Sequence, residues 1–173
     1  MATQSTFTYT VKNVAPTISL SGDKTVNEGS PYTLNLGAVT DPGTDTITSY
    51  SINWGDGVTE NFMGPPSGSS KTHTYPDGPF NRTYGVSVTD EDGSFLAGGV
   101  SVQVLNVAPT ASFVGNGPLI FGQTATFSFS NQHDDSVADT AADFHYAFST
   151  TAGTSGGFSN VTYASSSATP TDC

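Results

Sequence analysis

The sequence predicts an all-β protein made of small sandwich domains in tandem, and three observations support this prediction. The pentapeptide Asn13–Thr17, Asn-Val-Ala-Pro-Thr, returns unchanged 93 residues later at Asn106–Thr110. The chain has 19 glycines and 10 prolines among 173 residues, and no long stretch shows the apolar period of a helix. Short segments instead alternate apolar and polar residues between turn-forming residues, which is typical of strands.

The repeat extends beyond the pentapeptide at the same spacing. Gly29 and Asp41 correspond to Gly122 and Asp134. The apolar residues that correspond are Leu34 and Leu36 with Phe127 and Phe129, and Phe7, Tyr9 and Val11 with Val100, Val102 and Val104. A period near 90 residues is too long for a solenoid and fits an array of small β-domains.

This spacing divides the chain into three parts. Residues 1–12 correspond to the terminal strand of a preceding repeat, and residues 13–105 form one complete sandwich. Residues 106–173 form a second repeat that is incomplete at its C-terminal end, without counterparts of the last two strands. We therefore expect the chain to be a slice of a longer array.

Strands are predicted in order along the complete repeat, near residues 17–21, 31–37, 46–54, 58–63, 70–75, 83–89 and 98–105. The segments between them are rich in Gly, Pro, Asn and Asp, which favour tight turns. Seven short strands of this kind describe an immunoglobulin-like sandwich. Alternation places the following residues in its core: Leu20, Leu34, Leu36, Ile52, Trp54, Tyr84, Val86, Val88, Val102 and Val104.

In the second repeat, strands are predicted at Thr110–Val114, Thr124–Phe129, Thr140–Phe148 and Asn160–Ala164. Residues 6–12 also alternate strictly, as a half-buried strand does.

Composition narrows the choice of partners and location. Fifteen acidic residues against four basic ones leave a net charge of −11, which excludes nucleic acid because phosphate binding requires clusters of Lys and Arg. No apolar run is long enough for membrane insertion. The single cysteine, Cys173, is the last residue, so an internal disulfide is impossible and its role stays open. The turn-rich, lightly charged composition favours an extracellular or cell-surface protein.

Three segments of the complete repeat carry a resemblance to a known family. Tyr50–Gly57 reads Tyr-Ser-Ile-Asn-Trp-Gly-Asp-Gly, residues 73–75 read His-Thr-Tyr, and residues 88–93 read Val-Thr-Asp-Glu-Asp-Gly. Their order and spacing resemble the PKD domain, the polycystic-kidney-disease repeat, of the bacterial extracellular type. The family often has Trp at the position of Ile52 and Asp at that of Asn53. The second repeat matches less well, because Phe148 takes the place of Trp54 and no Gly-Asp-Gly follows.

The resemblance implies one possible ligand, calcium. In PKD domains of bacterial collagenases similar loops bind Ca²⁺, which implies Asp41, Asp45 and Asp90 as candidate ligands. Calcium takes six to eight oxygens from clustered carboxylates and carbonyls. The second repeat offers Asp134, Asp135 and Asp139. It has no segment that matches Asp90, and aspartates in such loops are also ordinary turn residues.

No catalytic residues are predicted. The histidines His73, His133 and His145 lie in or just before strands, without a partner nucleophile motif. Asn81 and Asn160 begin Asn-x-Thr sequons and are candidate sites for N-linked glycans.

The function favoured by these observations is that of a non-catalytic structural module of an extracellular stalk or fibre. Phe7, Tyr9 and Val11 belong to a strand without its own repeat, and this strand is expected to pair with the second repeat of a neighbouring chain. Self-association and neighbouring repeats are therefore the expected partners. The alternative is an accessory module of a secreted hydrolase or adhesin that binds polysaccharide or protein. An exposed row of aromatic side chains on one sheet face would favour this alternative.

Overall fold

The computed structural model describes residues 5–66, 68–118, 120–124, 126–142, 144 and 146. In these residues the elements, in chain order, are β1 (Thr17–Ser21), β2 (Thr25–Asn27), β3 (Pro31–Thr40), β4 (Ser49–Asn53), β5 (Thr59–Met63), β6 (Ser69–Thr74), β7 (Phe80–Thr89), β8 (Ser94–Leu105), β9 (Thr110–Gly115), β10 (Phe127–His133) and α1 (Val137–Ala141).

The first eight strands form two sheets, which confirms the all-β, immunoglobulin-like fold. One sheet has three strands in the order β1–β3–β6, and the other has five in the order β2–β8–β7–β4–β5. In the larger sheet β4 lies between two antiparallel neighbours, so that Ile52 faces Glu60 of β5 on one side and Val86 of β7 on the other.

The core lies between the alternating faces of these sheets. Tyr32, Leu34 and Leu36 of β3 are buried, and the residues between them are exposed. The hydroxyl groups of Tyr32 and Tyr84 lie 3.0 Å apart within hydrogen-bond distance, which joins the two sheets. All the predicted core residues are buried except Leu20, which is half-buried.

The strand limits of the sandwich differ from the prediction most at β2 and β8, and β3, β4 and β7 each differ by three residues at one end. Strand β2 was not predicted, because three residues are too few to show alternation. Strand β8 begins at Ser94 instead of residue 98. The turn after β7 is tight enough for the Asp90 amide to donate to the Gly93 carbonyl at 3.0 Å, so pairing resumes directly after it.

The chain divides into two compact units. As far as it is described, the first comprises Met1–Val26, Pro31–His73 and Asn81–Gln103, and the second comprises Asn27–Ser30, Thr74–Phe80 and Val104–Cys173. Two turn segments from the complete repeat thus belong to the second unit, together with the antiparallel pair β9–β10 and α1.

The strand predicted for Thr140–Phe148 is wrong at its beginning, where the chain is helical. Ser136 is the N-cap of α1, and its hydroxyl accepts a hydrogen bond from the Asp139 amide at 3.1 Å. Such a cap satisfies one of the free amides of the first turn and favours a helix there. Of the remaining predicted strand, only Ala142, Phe144 and Tyr146 are described. The strand predicted at residues 160–164 lies outside the described residues.

Residues 5–16 carry no regular secondary structure, so the strand predicted over residues 6–12 is not formed in the single chain. Phe7, Tyr9 and Val11 are 91%, 85% and 82% exposed. A strand requires a neighbouring strand to satisfy its backbone groups, and alternation alone does not supply one. Pairing with another chain stays a prediction. Among the described residues, no helix has the length and apolar character needed to cross a membrane.

Candidate metal centre

Three of the predicted site residues meet at one end of the first unit. Asp41 directly follows β3, Asp90 directly follows β7, and Asp45 lies in the loop that leads to β4. The Thr48 amide donates to the Thr89 carbonyl at 2.9 Å, which holds this loop beside the end of β7. As a result, each of the three carboxylates places an oxygen within 4.8 Å of the others.

Local turns hold two of these carboxylates in place. Oδ1 of Asp90 accepts hydrogen bonds from the amides of Asp92 at 2.8 Å and Gly93 at 3.0 Å. Oδ1 of Asp41 accepts one from the Gly43 amide at 3.1 Å. These are the short side-chain to backbone bonds that Asp makes in turns, and they leave the second oxygen of each carboxylate for another partner.

Those second oxygens are the most informative feature of the site. Oδ2 of Asp41 and Oδ2 of Asp90 are buried, and no donor among the described residues reaches either of them. Asp90 as a whole is 6% exposed. Leaving a charged oxygen buried without a donor or cation costs free energy, so this arrangement is favourable only with a further ligand.

The negative charges of these loops also favour a bound cation. Desolvation, and then the negative charges of Asp41, Glu91, Asp92 and Asp90, raise the pKa of Asp45. A cation held by the three carboxylates would replace this repulsion by attraction.

A second group of carboxylates lies in the second unit. It comprises Glu28, Asp134 and Asp139, whose oxygens also approach within 4.8 Å of one another. Both oxygens of Glu28 accept backbone hydrogen bonds at 2.6 Å, and Oδ1 of Asp134 accepts one from the Ser136 amide at 2.8 Å. Sequence reasoning named both aspartates but missed Glu28, whose Asn-Glu-Gly setting indicates only a turn.

The remaining predicted site residues lie apart. Asn81 is exposed on β7, where a glycan stays a prediction, and Asn160 lies outside the described residues. His73 lies on β6, as its predicted strand position implies, and stacks on Trp54 with ring centroids 4.8 Å apart and planes 9° apart. Its Nε2 lies 2.6 Å from Oδ2 of Asp56. Desolvation opposes the effect, but hydrogen bonds from His73 and from the Val58 amide lower the pKa of Asp56.

Exposed aromatic residues gather on the pair β9–β10. Phe113 and Phe127 stack with centroids 5.5 Å apart and planes 13° apart, and Phe129 lies 5.3 Å from Phe113. Phe113 is 57% exposed and Phe127 is 43% exposed. A row of aromatic side chains on one face is the feature expected to favour the alternative function, although here the third ring, Phe129, is half-buried.

No family model matches the chain, and no curated protein matches it. Among solved structures, the chain is similar to the PKD domain of an M14-like peptidase from Thermoplasmatales archaeon SCGC AB-540-F20. The sequence identity is 31%, the similarity covers 54% of this chain and 98% of that one, and the TM-score is 0.45.

Proposed function

We propose that the chain is a non-catalytic structural part of an extracellular stalk or fibre, built from PKD-type sandwiches and stabilised by calcium at Asp41, Asp45 and Asp90. One observation carries the calcium site: two of its carboxylate oxygens are buried without a donor among the described residues. The sequence resemblance supports the family, and the repeated linker supports an array.

The chemistry of the three residues suits a hard cation. Calcium prefers oxygen ligands at about 2.3–2.6 Å and accepts irregular geometry. Asp41 and Asp90 are held by their turns, whereas no hydrogen bond among the described residues restrains the carboxylate of Asp45. Two fixed ligands and one adaptable ligand would let the loops close around the ion.

Thermal unfolding in calcium and in chelator tests the site. A ligand that binds only the native state at 100 times its Kd stabilises it by about 2.7 kcal/mol. We expect calcium to raise the Tm of the wild-type chain by several degrees, and Asp90→Asn to abolish this rise. Asp92→Asn is the matched control, because it changes an exposed carboxylate of the same turn outside the group. If calcium leaves the Tm of the wild-type chain unchanged, the site is refuted.

We further propose that chains assemble by strand complementation. The segment at residues 6–12 exposes three alternating apolar side chains, and the pair β9–β10 exposes apolar side chains of its own. Burying both sets between two chains would remove this area from water.

Analytical ultracentrifugation of the full chain and of a variant lacking residues 1–12 tests this assembly. We expect concentration-dependent oligomers from the full chain and monomers from the shortened one, with the same Trp54 fluorescence in both. Monomeric full-length protein at high concentration would contradict the assembly while leaving the calcium site untouched.

The second candidate function is an accessory binding module, which the row formed by the exposed Phe113 and Phe127 with the half-buried Phe129 favours. Stacked aromatic rings offer apolar faces to sugar rings. Affinity electrophoresis in gels that contain polysaccharide tests it, with Phe113→Ala expected to release the retarded chain. Phe62→Ala is the control, because Phe62 lies on β5, in the first unit. Equal mobility in all gels would remove this candidate.

A further inference from the structure

Glu28 is a fully buried acidic residue whose charge the proposed calcium site does not use. It follows β2 and is 0% exposed. Its Oε2 accepts a hydrogen bond from the Gly78 amide at 2.6 Å, and its Oε1 accepts one from the Val107 amide at 2.6 Å. Hydrogen bonds to an ionised carboxylate are the strong ones among protein hydrogen bonds.

The backbone around Glu28 is bound to the same two segments. The Glu28 amide donates to the Leu105 carbonyl at 2.9 Å, and the Gly29 amide donates to the Tyr75 carbonyl at 2.9 Å. Three segments distant in sequence therefore meet at this residue, and all of them belong to the second unit: residues 27–30, 74–80 and 104–107. A side chain that bonds to two of them at once restrains both.

The Val107 amide is the important donor, because Val107 lies in the repeated linker Asn-Val-Ala-Pro-Thr. Of the five linker residues only Pro109 lacks an amide, and the amide of the valine is the one that donates to Glu28. Val14 occupies the same place in the first copy of the linker. It is exposed, and no hydrogen bond to its amide is formed among the described residues.

We propose that Glu28 is the binding site for the linker that follows its own repeat, and that it recognises the Asn-Val-Ala-Pro-Thr segment through the valine amide. The partner of this site is thus a neighbouring stretch of the same array. The carboxylate also lies within 4.8 Å of those of Asp134, which follows β10, and Asp139, which lies in α1. Through the hydrogen bond from the Val107 amide, Glu28 connects its own repeat with the linker to the next.

The two repeats differ in whether they have an acidic residue that can hold the linker after them. The counterpart of Glu28 in the second repeat is Phe121, which is fully exposed and has no carboxylate. A linker that follows the second repeat is therefore not held in this way. A repeat that precedes residue 13 would hold Val14 only if it carried an acidic residue at the position of Glu28.

Amide hydrogen exchange of the full chain tests the site directly. Glu28→Gln keeps the shape of the side chain but cannot accept two amides as an anion does, so the exchange of the Val107 and Gly78 amides should accelerate about tenfold or more. The matched control is Glu60→Gln on β5, which should leave both amides at wild-type rates. Unchanged protection of Val107 in folded Glu28→Gln protein would overturn the proposal.

A second pair of variants decides the matter if Glu28→Gln fails to fold. Val107→Pro removes the donor, and Val14→Pro makes the same change in the same local sequence where no partner is bound. We expect Val107→Pro to lower the Tm of the second unit and Val14→Pro to leave it unchanged. Equal effects of the two prolines would show that local stiffness, and not Glu28, matters at the linker.

Discussion

The antiparallel pairs β1–β3 and β9–β10 have the same backbone pairing, displaced by the 93-residue spacing of the repeat. Leu20 pairs with Leu36 in one, and Phe113 pairs with Phe129 in the other. Both pairs contain a register shift, and in both the threonine that begins the first strand donates to a carbonyl of the second at 3.4 Å.

What differs between the two pairs is burial. Leu34 of β3 is 0% exposed, whereas its counterpart Phe127 of β10 is 43% exposed. Leu34 lies in a sandwich whose opposite sheet covers it, while the phenylalanines of β9–β10 cover mainly one another. Local sequence is therefore sufficient for the pairing register, but burial depends on an opposing sheet.

The largest difference in stability is expected between truncation of Leu34 in the pair β1–β3 and truncation of Phe127 in the pair β9–β10. Leu34→Ala should lower the free energy of unfolding by about 2–5 kcal/mol, because it leaves a cavity in a fully packed site. Phe127→Ala should leave the unfolding monitored by Trp54 fluorescence unchanged, since Trp54 belongs to the other unit. Urea titration of both variants makes the comparison. Equal shifts of the midpoint would mean that the two pairs belong to one cooperative core.

A smaller effect separates the corresponding glycines. Gly29 and Gly122 have φ values of 69° and 89°, so alanine costs about 1–2 kcal/mol at either position. An added Cβ at Gly29 would also lie 2.8 Å from the Asp135 carbonyl oxygen, whereas Gly122 faces open space. Gly29→Ala should therefore destabilise the second unit more than Gly122→Ala, as measured by thermal unfolding with circular dichroism. Identical losses would contradict the close approach at Gly29.

The contributions of the two His–Asp pairs, one in each unit, to the free energy of unfolding should differ by a smaller amount. Side chains of His73 and Asp56 are 10% and 7% exposed, while those of His133 and Asp135 are 69% and 46% exposed. Asp56→Asn should cost about 1 kcal/mol, the usual value of one intramolecular hydrogen bond. Asp135→Asn should cost close to nothing, because exposed ion pairs contribute little. Chemical denaturation of both variants at neutral pH would measure the difference.

The pH dependence of stability without calcium should have two opposite parts, both small. The pKa of Asp45 is raised, so protonation of the folded chain begins above the ordinary value of 3.8 and stability rises as the pH falls towards that value. The pKa of Asp56 is lowered, so its contribution is present above 3.8 and disappears as the pH falls through the lowered pKa. Asp45→Asn should remove the rise alone. If stability still rises at falling pH in this variant, a group other than Asp45 causes the rise.

Sequence patterns predicted the first repeat more accurately than the second. From Pro31 to Leu36 in β3 and from Thr83 to Thr89 in β7, alternation matches burial residue by residue, because these stretches have one face against the core. Helix α1 was missed, since it has five residues and its cap at Ser136 lies just before an alternating stretch. The three aspartates of the candidate metal centre were named in advance, but only the structure shows that two of their oxygens are buried without a donor among the described residues.

The repeat, seven of the eight strands of the sandwich and the acidic turns could be predicted from the sequence, because they depend on alternation and on residues close together along the chain. Only the tertiary structure decided the roles of Glu28 and of the paired phenylalanines. The donors to Glu28 lie 50 and 79 residues away, and no local pattern records such distances. Likewise, Phe127 occupies a core position by its spacing, but the exposure of its ring depends on which sheet is packed against it.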